Sequence, residues 1–115
     1  MTVTIHPTAI VHDGAQLGEG VQIGPYCIVG PQVTLKDRTV LKSHVVIDGV
    51  TEIGADGVIH PFACLGGPPQ HLAHKGEPTK LIVGERVLVR ENVIMHAGTE
   101  KGGGVTVAGN DCMFM

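Results

Sequence analysis

The chain has 115 residues and a formal net charge of −3, with Lys and Arg together at only eight positions. Its length allows one domain, and the lack of a basic cluster argues against a nucleic-acid partner or a membrane-surface patch. Trp is absent and aromatic residues make up 3% of the chain, so no base-stacking surface is expected. No apolar run approaches about 20 residues, and residues 1–11 lack a signal-peptide pattern, which predicts a cytoplasmic protein without stable membrane insertion.

From residue 5 onward, an aliphatic side chain recurs at every sixth position through eleven repeats. These residues are Ile5, Val11, Leu17, Ile23, Val29, Leu35, Leu41, Ile47, Ile53, Ile59 and Leu65. A period of six matches neither a strand (period 2) nor a helix (period 3.6). The pattern therefore predicts a chain that returns to the same environment once in every hexad.

A second position of each hexad, four residues after the aliphatic one, holds a small or β-branched residue. These residues are Ala9, Ala15, Val21, Cys27, Val33, Thr39, Val45, Thr51, Gly57 and Ala63. Such short strands bury an apolar face only when they stack on identical neighbours, and three hexads close one triangular coil. We therefore predict an all-β fold, a parallel β-helix of about 18 residues per coil. The glycine that often follows the aliphatic residue (Gly18, Gly24, Gly30, Gly54, Gly66) is expected to supply the corner dihedrals.

The repeat breaks twice. Residues 67–80 hold three prolines, Gly76 and a group of His and Lys side chains, which predicts an external loop of a single domain spanning 1–115. The hexads resume at Val83 and, after a run of three glycines at 102–104, at Ala108 in a shifted phase. Long loops on a rigid scaffold commonly carry function.

The remaining signals concern the cysteines and the chain end. Cys27 and Cys112 fall in the small inward position, which indicates reduced, buried thiols. The sequence stops in mid-hexad at Met113–Met115, without the polar cap that a solenoid end needs. We therefore expect the N-terminal part of a longer protein.

Several stretches together resemble one enzyme family. They are residues 6–11 (HPTAIV), 23–31 (IGPYCIVGP), 40–46 (VLKSHVV), 76–79 (GEPT), 90–93 (RENV) and 96–99 (HAGT), followed by the three glycines. With the hexads, they are similar to the acyl-[acyl-carrier-protein]–UDP-N-acetylglucosamine O-acyltransferases of lipid A biosynthesis. The segments around residues 67–80 and His96 are more specific than the hexads, which many acyltransferases share.

This resemblance implies a left-handed parallel β-helix and a homotrimer with active sites between neighbouring subunits. It also implies the reaction. A histidine acts as general base on the 3-hydroxyl of UDP-N-acetylglucosamine, which attacks the thioester of a 3-hydroxyacyl group on acyl carrier protein. The resemblance implies no metal and no organic cofactor.

The family's catalytic histidine would follow Met115, so we expect no catalytic residue within this chain and no activity from it alone. The family's loop motif Gln-Asp-Leu-Lys is here Gln70-His71-Leu72-Ala73, and Ala97 stands where Arg is common. His74 and Lys75 lie close enough in sequence to replace the missing cation. The expected substrate-binding residues are Gln70, His71, His74, Lys75 and His96.

Three alternatives remain open at the level of sequence. One is another hexapeptide acyltransferase that acts on a different nucleotide sugar or on an amine. Another is a non-catalytic β-helix that polymerises end to end through its uncapped coil. The last is a zinc site formed by His71, His74 and His96, although no Cys-x-x-Cys or His-x-His pattern supports it. His6, His12 and His60 are expected to be outward corner residues with local hydrogen bonds only.

Overall fold

A computed structural model describes residues 2–67, 80–96 and 105–115, and there the chain forms sixteen short strands. The strands are β1 Thr4–Ile5, β2 Ile10–Val11, β3 Gln16–Leu17, β4 Gln22–Ile23, β5 Ile28–Val29, β6 Val33–Leu35, β7 Val40–Leu41, β8 Val46–Ile47, β9 Val50–Ile53, β10 Val58–Ile59, β11 Cys64–Gly67, β12 Lys80–Val83, β13 Leu88–Val89, β14 Ile94–His96, β15 Val105–Ala108 and β16 Met113–Phe114. Within these ranges, no helix has the length and apolar character needed to cross a lipid bilayer.

The strands form three parallel sheets, one for each face of a triangular prism. Sheet A has the order β1-β4-β7-β10-β13-β16, sheet B has β2-β5-β8-β11-β14, and sheet C has β3-β6-β9-β12-β15. The chain visits A, B and C in turn, so each strand pairs with the strand one coil later, as Thr4 does with Gln22 and Gln22 with Val40. The predicted parallel β-helix with 18 residues per coil is confirmed over these coils.

The register lengthens at two places. Val50 pairs with Lys80, an offset of thirty residues instead of eighteen, and Lys80 pairs with Val105, an offset of twenty-five. The extra residues fall between β11 and β12 and between β14 and β15, in ranges that the structure does not describe. Pairing resumes in register after each, so the rungs of the prism continue across both.

The interior consists of the aliphatic residues that the hexads predicted, except in the first coil, where Ile5 is 43% exposed and Val11 and Leu17 are partly buried. Ile23, Leu41, Ile59 and Val89 stack behind sheet A, and each is at most 2% exposed. Equivalent columns run behind the other two sheets: Val29, Ile47 and Leu65 for sheet B, and Leu35, Ile53 and Val83 for sheet C. Burying each aliphatic side chain stabilises the fold by about 1.5–3 kcal/mol, and this is the main contribution that holds these short strands together.

The small inward position is also buried, and its two threonines are satisfied. Thr39 donates its hydroxyl to the carbonyl oxygens of Lys36 (2.8 Å) and Gly54 (3.1 Å). Thr51 donates to the Asp48 carbonyl oxygen at 2.7 Å. Both hydroxyls therefore close corners without leaving an unpaired polar group in the core. All three cysteines are free; Cys27 is buried, Cys112 half-buried and Cys64 exposed.

The corners differ from the prediction in how glycine is used. Gly18, Gly24, Gly30 and Gly54 are absent from the positive-φ positions, and of the five predicted glycines only Gly66 is among them. The positive φ falls three residues after the inward aliphatic, where most coils have a non-glycine residue such as Arg38 (φ 60°). A Cβ at Gly24 would overlap the Lys42 carbonyl oxygen of the next coil, and one at Gly54 would lie 2.6 Å from the Gly84 carbonyl oxygen. Glycine therefore permits close stacking of coils there, and the dihedral explanation was wrong for these four positions.

Candidate functional site

Three corners join the sheets, and each has its own chemistry. We call the corner between sheets B and C the loop corner, because the chain leaves sheet B at Gly67 and at His96 and re-enters sheet C at Lys80 and at Val105. Gly67 is the register partner of His96, and Lys80 is the partner of Val105. The two segments that interrupt the hexads therefore begin from adjacent backbone positions and end at adjacent positions.

The backbone of the loop corner is shaped by two glycines. Gly49 (φ 64°) turns the chain directly after Asp48, one residue earlier than in the standard corner. Gly66 (φ 81°) lies in the coil above, and a Cβ there would collide with the Thr51 hydroxyl and the Asp48 carbonyl oxygen. Only glycine fits at this position, because both the dihedral and the space exclude a side chain.

Sheet C begins with longer strands at this corner. The strands β9, β12 and β15 each have four residues and pair over their full length, from Val50, Lys80 and Val105 onward. On the sheet B side of this corner, strand β11 has four residues, and its register with β14 is irregular between Leu65 and Gly67. The loop corner is thus a paired platform that holds both ends of each inserted segment.

The predicted substrate-binding residues relate to this platform in two ways. His96 ends β14, with its backbone beside Gly67, so the structure places its position at the edge where residues 68–79 begin. Gln70, His71, His74 and Lys75 lie outside the described residues. Their roles, and that of the His96 side chain, remain predictions.

His6 and His12 are exposed on the outside of the prism, as expected, and His60 is partly exposed. His6 is exposed, and its Nδ1 lies 2.9 Å from the Thr8 hydroxyl and accepts the Thr8 backbone N–H at 3.2 Å. His12 is exposed at the loop corner, directly after β2, which is four strands from β14 and His96 in sheet B. Four strand spacings are about 19 Å, so His12 shares the corner with His96 but not its surroundings.

The described residues also bear on metal binding and on thiol chemistry. In residues 2–67, 80–96 and 105–115, no three His, Cys, Asp or Glu side chains are close enough to hold a metal ion. His71 and His74 lie outside those ranges. Burial raises the pKa of the Cys27 thiol, so this cysteine stays protonated inside the prism and is not a nucleophile.

The corner between sheets C and A, which we call the charged corner, holds paired ions. Arg38 donates from Nε and an Nη to both carboxylate oxygens of Asp56, at 2.8 and 3.1 Å. Arg86 binds both oxygens of Asp111 in the same way, at 2.6 and 2.9 Å. All four residues occupy the positive-φ position, so charges of alternating sign follow one another along the edge. Each arginine hydrogen bond lowers the pKa of its aspartate.

The corner between sheets A and B, which we call the aromatic corner, holds stacked rings at the same position. The ring of His44 lies between those of Tyr26 and Phe62, with both centroid distances at 5.1 Å and interplanar angles of 28° and 23°. These rings were not singled out from the sequence. Their spacing of 18 residues, at one position of the hexad, was the signal that could have revealed them.

The sequence of this chain is similar to a known protein family and to proteins of known name. Residues 2–37 and 14–49 match the family model described as bacterial transferase hexapeptide (six repeats). An acyl-[acyl-carrier-protein]–UDP-N-acetylglucosamine O-acyltransferase of Caulobacter vibrioides is 56% identical over 113 residues, which is 98% of this chain and 43% of that protein. The protein of the same name from Agrobacterium fabrum is 50% identical over 111 residues, or 96% of this chain and 41% of that protein.

A solved structure has the same fold as this chain. The structure of LpxA from Acinetobacter baumannii superposes with a TM-score of 0.92 at 45% sequence identity, covering 96% of this chain and 43% of that one. The left-handed parallel β-helix that the resemblance implied is confirmed. The chain spans less than half the length of the relatives that it matches. Over that span, it matches the N-terminal part of the acyl-[acyl-carrier-protein]–UDP-N-acetylglucosamine O-acyltransferases.

Proposed function

We propose that this chain is part of an enzyme that transfers a 3-hydroxyacyl group from acyl carrier protein to the 3-hydroxyl of UDP-N-acetylglucosamine, the first step of lipid A biosynthesis. The names of the relatives from Caulobacter vibrioides and Agrobacterium fabrum support both substrates. We place the reaction in the cytoplasm. The observation that carries the proposal is the register of the loop corner, in which the two family-specific segments start from adjacent backbone positions and end at adjacent positions.

In this proposal the chain supplies the part of the site that binds the nucleotide sugar. Gln70 and either His74 or Lys75 bind polar groups of the sugar nucleotide, and His71 stands where relatives of this type carry an acidic residue. His96 lies at the base of the same segment and donates to, or accepts from, the acceptor sugar. The general base that removes the proton of the 3-hydroxyl comes from outside residues 1–115.

The chemistry suits a histidine base and a thioester donor. A neutral imidazole accepts the hydroxyl proton as the oxygen attacks the thioester carbonyl, and the carrier-protein thiol leaves with a proton returned to it. Neither step calls for a metal ion or a redox cofactor. Binding energy for the acceptor therefore comes from side chains of the loop corner and from whatever surface faces it.

We further propose a homotrimer with one cleft between each pair of subunits. The loop corner lies at the edge of a prism, so its side chains approach a substrate from one side only. A neighbouring prism would close the other side and exclude water from the reacting groups. The acyltransferase activity and this assembly can be tested separately.

Replacing His96 tests the proposed site. In the full-length enzyme, His96→Ala should lower kcat/KM for UDP-N-acetylglucosamine by about 10- to 100-fold, because a polar contact to the acceptor is lost. The matched change His12→Ala, at the same corner but about 19 Å away, should stay within about twofold of the natural enzyme. Steady-state assays with 3-hydroxyacyl carrier protein measure both, and circular dichroism checks that each variant folds.

Two results would contradict the proposal. Equal losses from the two histidine changes would remove His96 from the site. An enzyme that uses an acceptor with a 3-amine in place of the 3-hydroxyl, and ignores UDP-N-acetylglucosamine, would replace the proposed reaction with its amide-forming counterpart.

A further inference from the structure

Two buried threonines, Thr39 and Thr51, occupy the small inward position of the hexad, with exposures of 0% and 1%. A buried hydroxyl costs free energy unless it is hydrogen-bonded, and each of these donates to the carbonyl oxygen three residues earlier. Valine occupies the same position one rung below each of them, at Val21 and Val33, and both valines are buried. The difference between each threonine and the valine beneath it is therefore the hydroxyl and its hydrogen bond.

The hydrogen bond of Thr51 lies directly beneath Gly66 of the next coil. Its donor is the Thr51 hydroxyl and its acceptor is the Asp48 carbonyl oxygen, 2.7 Å away. These two atoms are also the ones that a Cβ at Gly66 would collide with. The Cα of Gly66 therefore rests on this hydrogen-bonded pair, and the hydroxyl of Thr51 helps to fix the height and direction of the chain at Gly66.

Gly66 is the extra residue of an irregular strand pair. Leu65 pairs with Met95 and Gly67 pairs with His96, so Gly66 has no partner in β14, and its φ is 81°. An extra residue of this kind bends its strand and changes the direction of the residues that follow, and such bulges are common beside active sites. The direction in which the chain leaves β11, and its alignment with His96, therefore depend on how Gly66 is held.

The same corner also lies beneath the other end of the inserted segment. Val50 and Thr51 are the register partners of Lys80 and Leu81, with which the chain re-enters sheet C. Residues 48–51 are thus one coil below both the residue before Gly67 and the residue at which β12 begins. A change in this short corner is transmitted to both ends of the segment at once.

We propose that Thr51 is a positioning residue for the nucleotide-sugar site. Its hydroxyl holds the corner of residues 48–51 in the shape that supports the bulge at Gly66, and through Gly67 it aligns His96 with the segment that begins there. Thr51 itself does not touch the substrate. This inference rests on the proposed function and deepens it, because it names a buried residue that controls the affinity of that site for the acceptor.

Replacing Thr51 in the full-length enzyme tests this role. Thr51→Val removes the hydroxyl and keeps a shape that Val33 shows to fit one rung below. It should lower kcat/KM for UDP-N-acetylglucosamine by about 10-fold, mainly through a higher KM, because the groups that bind the acceptor lose their alignment. The value of kcat should stay within about threefold, since the general base comes from outside residues 1–115. Thr51→Ser keeps the hydroxyl and should restore kcat/KM to within about threefold of the natural enzyme.

Thr39→Val is the matched control. It removes the equivalent hydrogen bond to Lys36, and a second one to the Gly54 carbonyl oxygen, at the charged corner. It should lower the melting temperature at least as much as Thr51→Val does, yet leave kcat/KM within about twofold of the natural enzyme. Steady-state assays with 3-hydroxyacyl carrier protein measure all three variants. If either valine variant does not fold, Thr51→Ala and Thr39→Ala provide the same comparison.

Hydrogen exchange provides a measurement that needs no substrate. Mass spectrometry of peptides that contain β11 should show amide exchange at least about 10-fold faster in Thr51→Val than in Thr51→Ser, because the bulge at Gly66 has lost its support. In Thr39→Val these peptides should exchange as in the natural enzyme, since Thr39 lies at a different corner.

The outcomes separate this inference from the function beneath it. Equal losses of kcat/KM from Thr51→Val and Thr39→Val would indicate a general loss of stability and would overturn the assignment. Natural kinetics and natural exchange in Thr51→Val would overturn it as well. A natural enzyme that does not use UDP-N-acetylglucosamine, with faster exchange of β11 in Thr51→Val, would overturn the proposed function and support the role of Thr51 in holding the bulge.

Discussion

The charged corner and the aromatic corner are built on one backbone and differ only in side chains. At both, a residue with positive φ follows three positions after a buried aliphatic residue and donates its N–H to the coil below. One edge then carries Arg38, Asp56, Arg86 and Asp111, and the other carries Tyr26, His44 and Phe62. The repeat therefore decides where a corner residue stands, whereas its side chain is matched to the corner residues of neighbouring coils, with ion pairs at one edge and stacked rings at the other.

The largest effect should come from the feature that both corners share. Gly24→Ala at the aromatic corner and Gly54→Ala at the charged corner each force a Cβ against the backbone of the next coil. Each should lower the free energy of unfolding by about 3 kcal/mol, because backbone cannot move aside as a side chain can. Gly109→Ala is the control, since the nearest atom to its Cβ would be Cys112 Sγ at 3.8 Å. Urea denaturation at one protein concentration measures all three, and equal stabilities would refute close coil stacking.

A smaller effect should distinguish the aromatic corner. His44→Ala removes the middle ring and with it both stacking contacts, which should cost about 1–2 kcal/mol. His44→Phe keeps three rings and should retain most of the stability. Thermal melts must be compared at a single concentration, because the stability of an assembling protein depends on it. A His44→Phe protein as weak as His44→Ala would mean that stacking contributes nothing.

The smallest effect should come from the charged corner and should depend on pH. The arginine hydrogen bonds hold the pKa values of Asp56 and Asp111 below the ordinary 3.8. A lowered folded-state pKa stabilises the fold above the ordinary value, and this contribution disappears as pH falls below 3.8 through the folded-state pKa. Asp56→Asn/Asp111→Asn should therefore melt slightly below the natural protein at pH 6 and alongside it near pH 2.

Salt provides the check on that result. Exposed ion pairs weaken as ionic strength rises, so 1 M NaCl should reduce the difference in melting temperature between the two proteins at pH 6. If the difference in melting temperature between the variant and the natural protein persists in 1 M NaCl and at low pH, it comes from the packing of the four side chains and not from their charges.

The interior could be predicted from the sequence because its environment repeats. An inward position accepts only an aliphatic side chain, so Ile23, Leu41 and Ile59 recur at a spacing that a reader can count. The corners could not be predicted in the same way, since Arg38 and Phe62 meet an identical backbone requirement with unrelated chemistry. Glycine was misread for a related reason. Its position in the hexad is visible in the sequence. Whether glycine is needed there for a positive φ or to avoid a steric clash depends on the backbone of the next coil.

The candidate site was predictable only in part. The break at residues 67–80 and the match at residues 96–99 marked two segments whose ends lie at the loop corner. That these ends are adjacent depends on the strand register, in which Gly67 pairs with His96. The separation of these two residues is not a multiple of six, so the hexad period alone does not predict the pairing. The reshaped turn at Gly49 and the clash that makes Gly66 necessary were likewise invisible without the coil above and below.

The register offsets at the loop corner have a practical consequence. One coil there is lengthened by twelve residues and the next by seven, yet Lys80 and Val105 take up their places on sheet C unchanged. A segment whose two ends are already fixed side by side costs little more to close when it is lengthened. This corner is therefore where a foreign peptide, such as an affinity epitope, can be grafted with the least disturbance of the fold, although a graft there would interrupt the proposed substrate site.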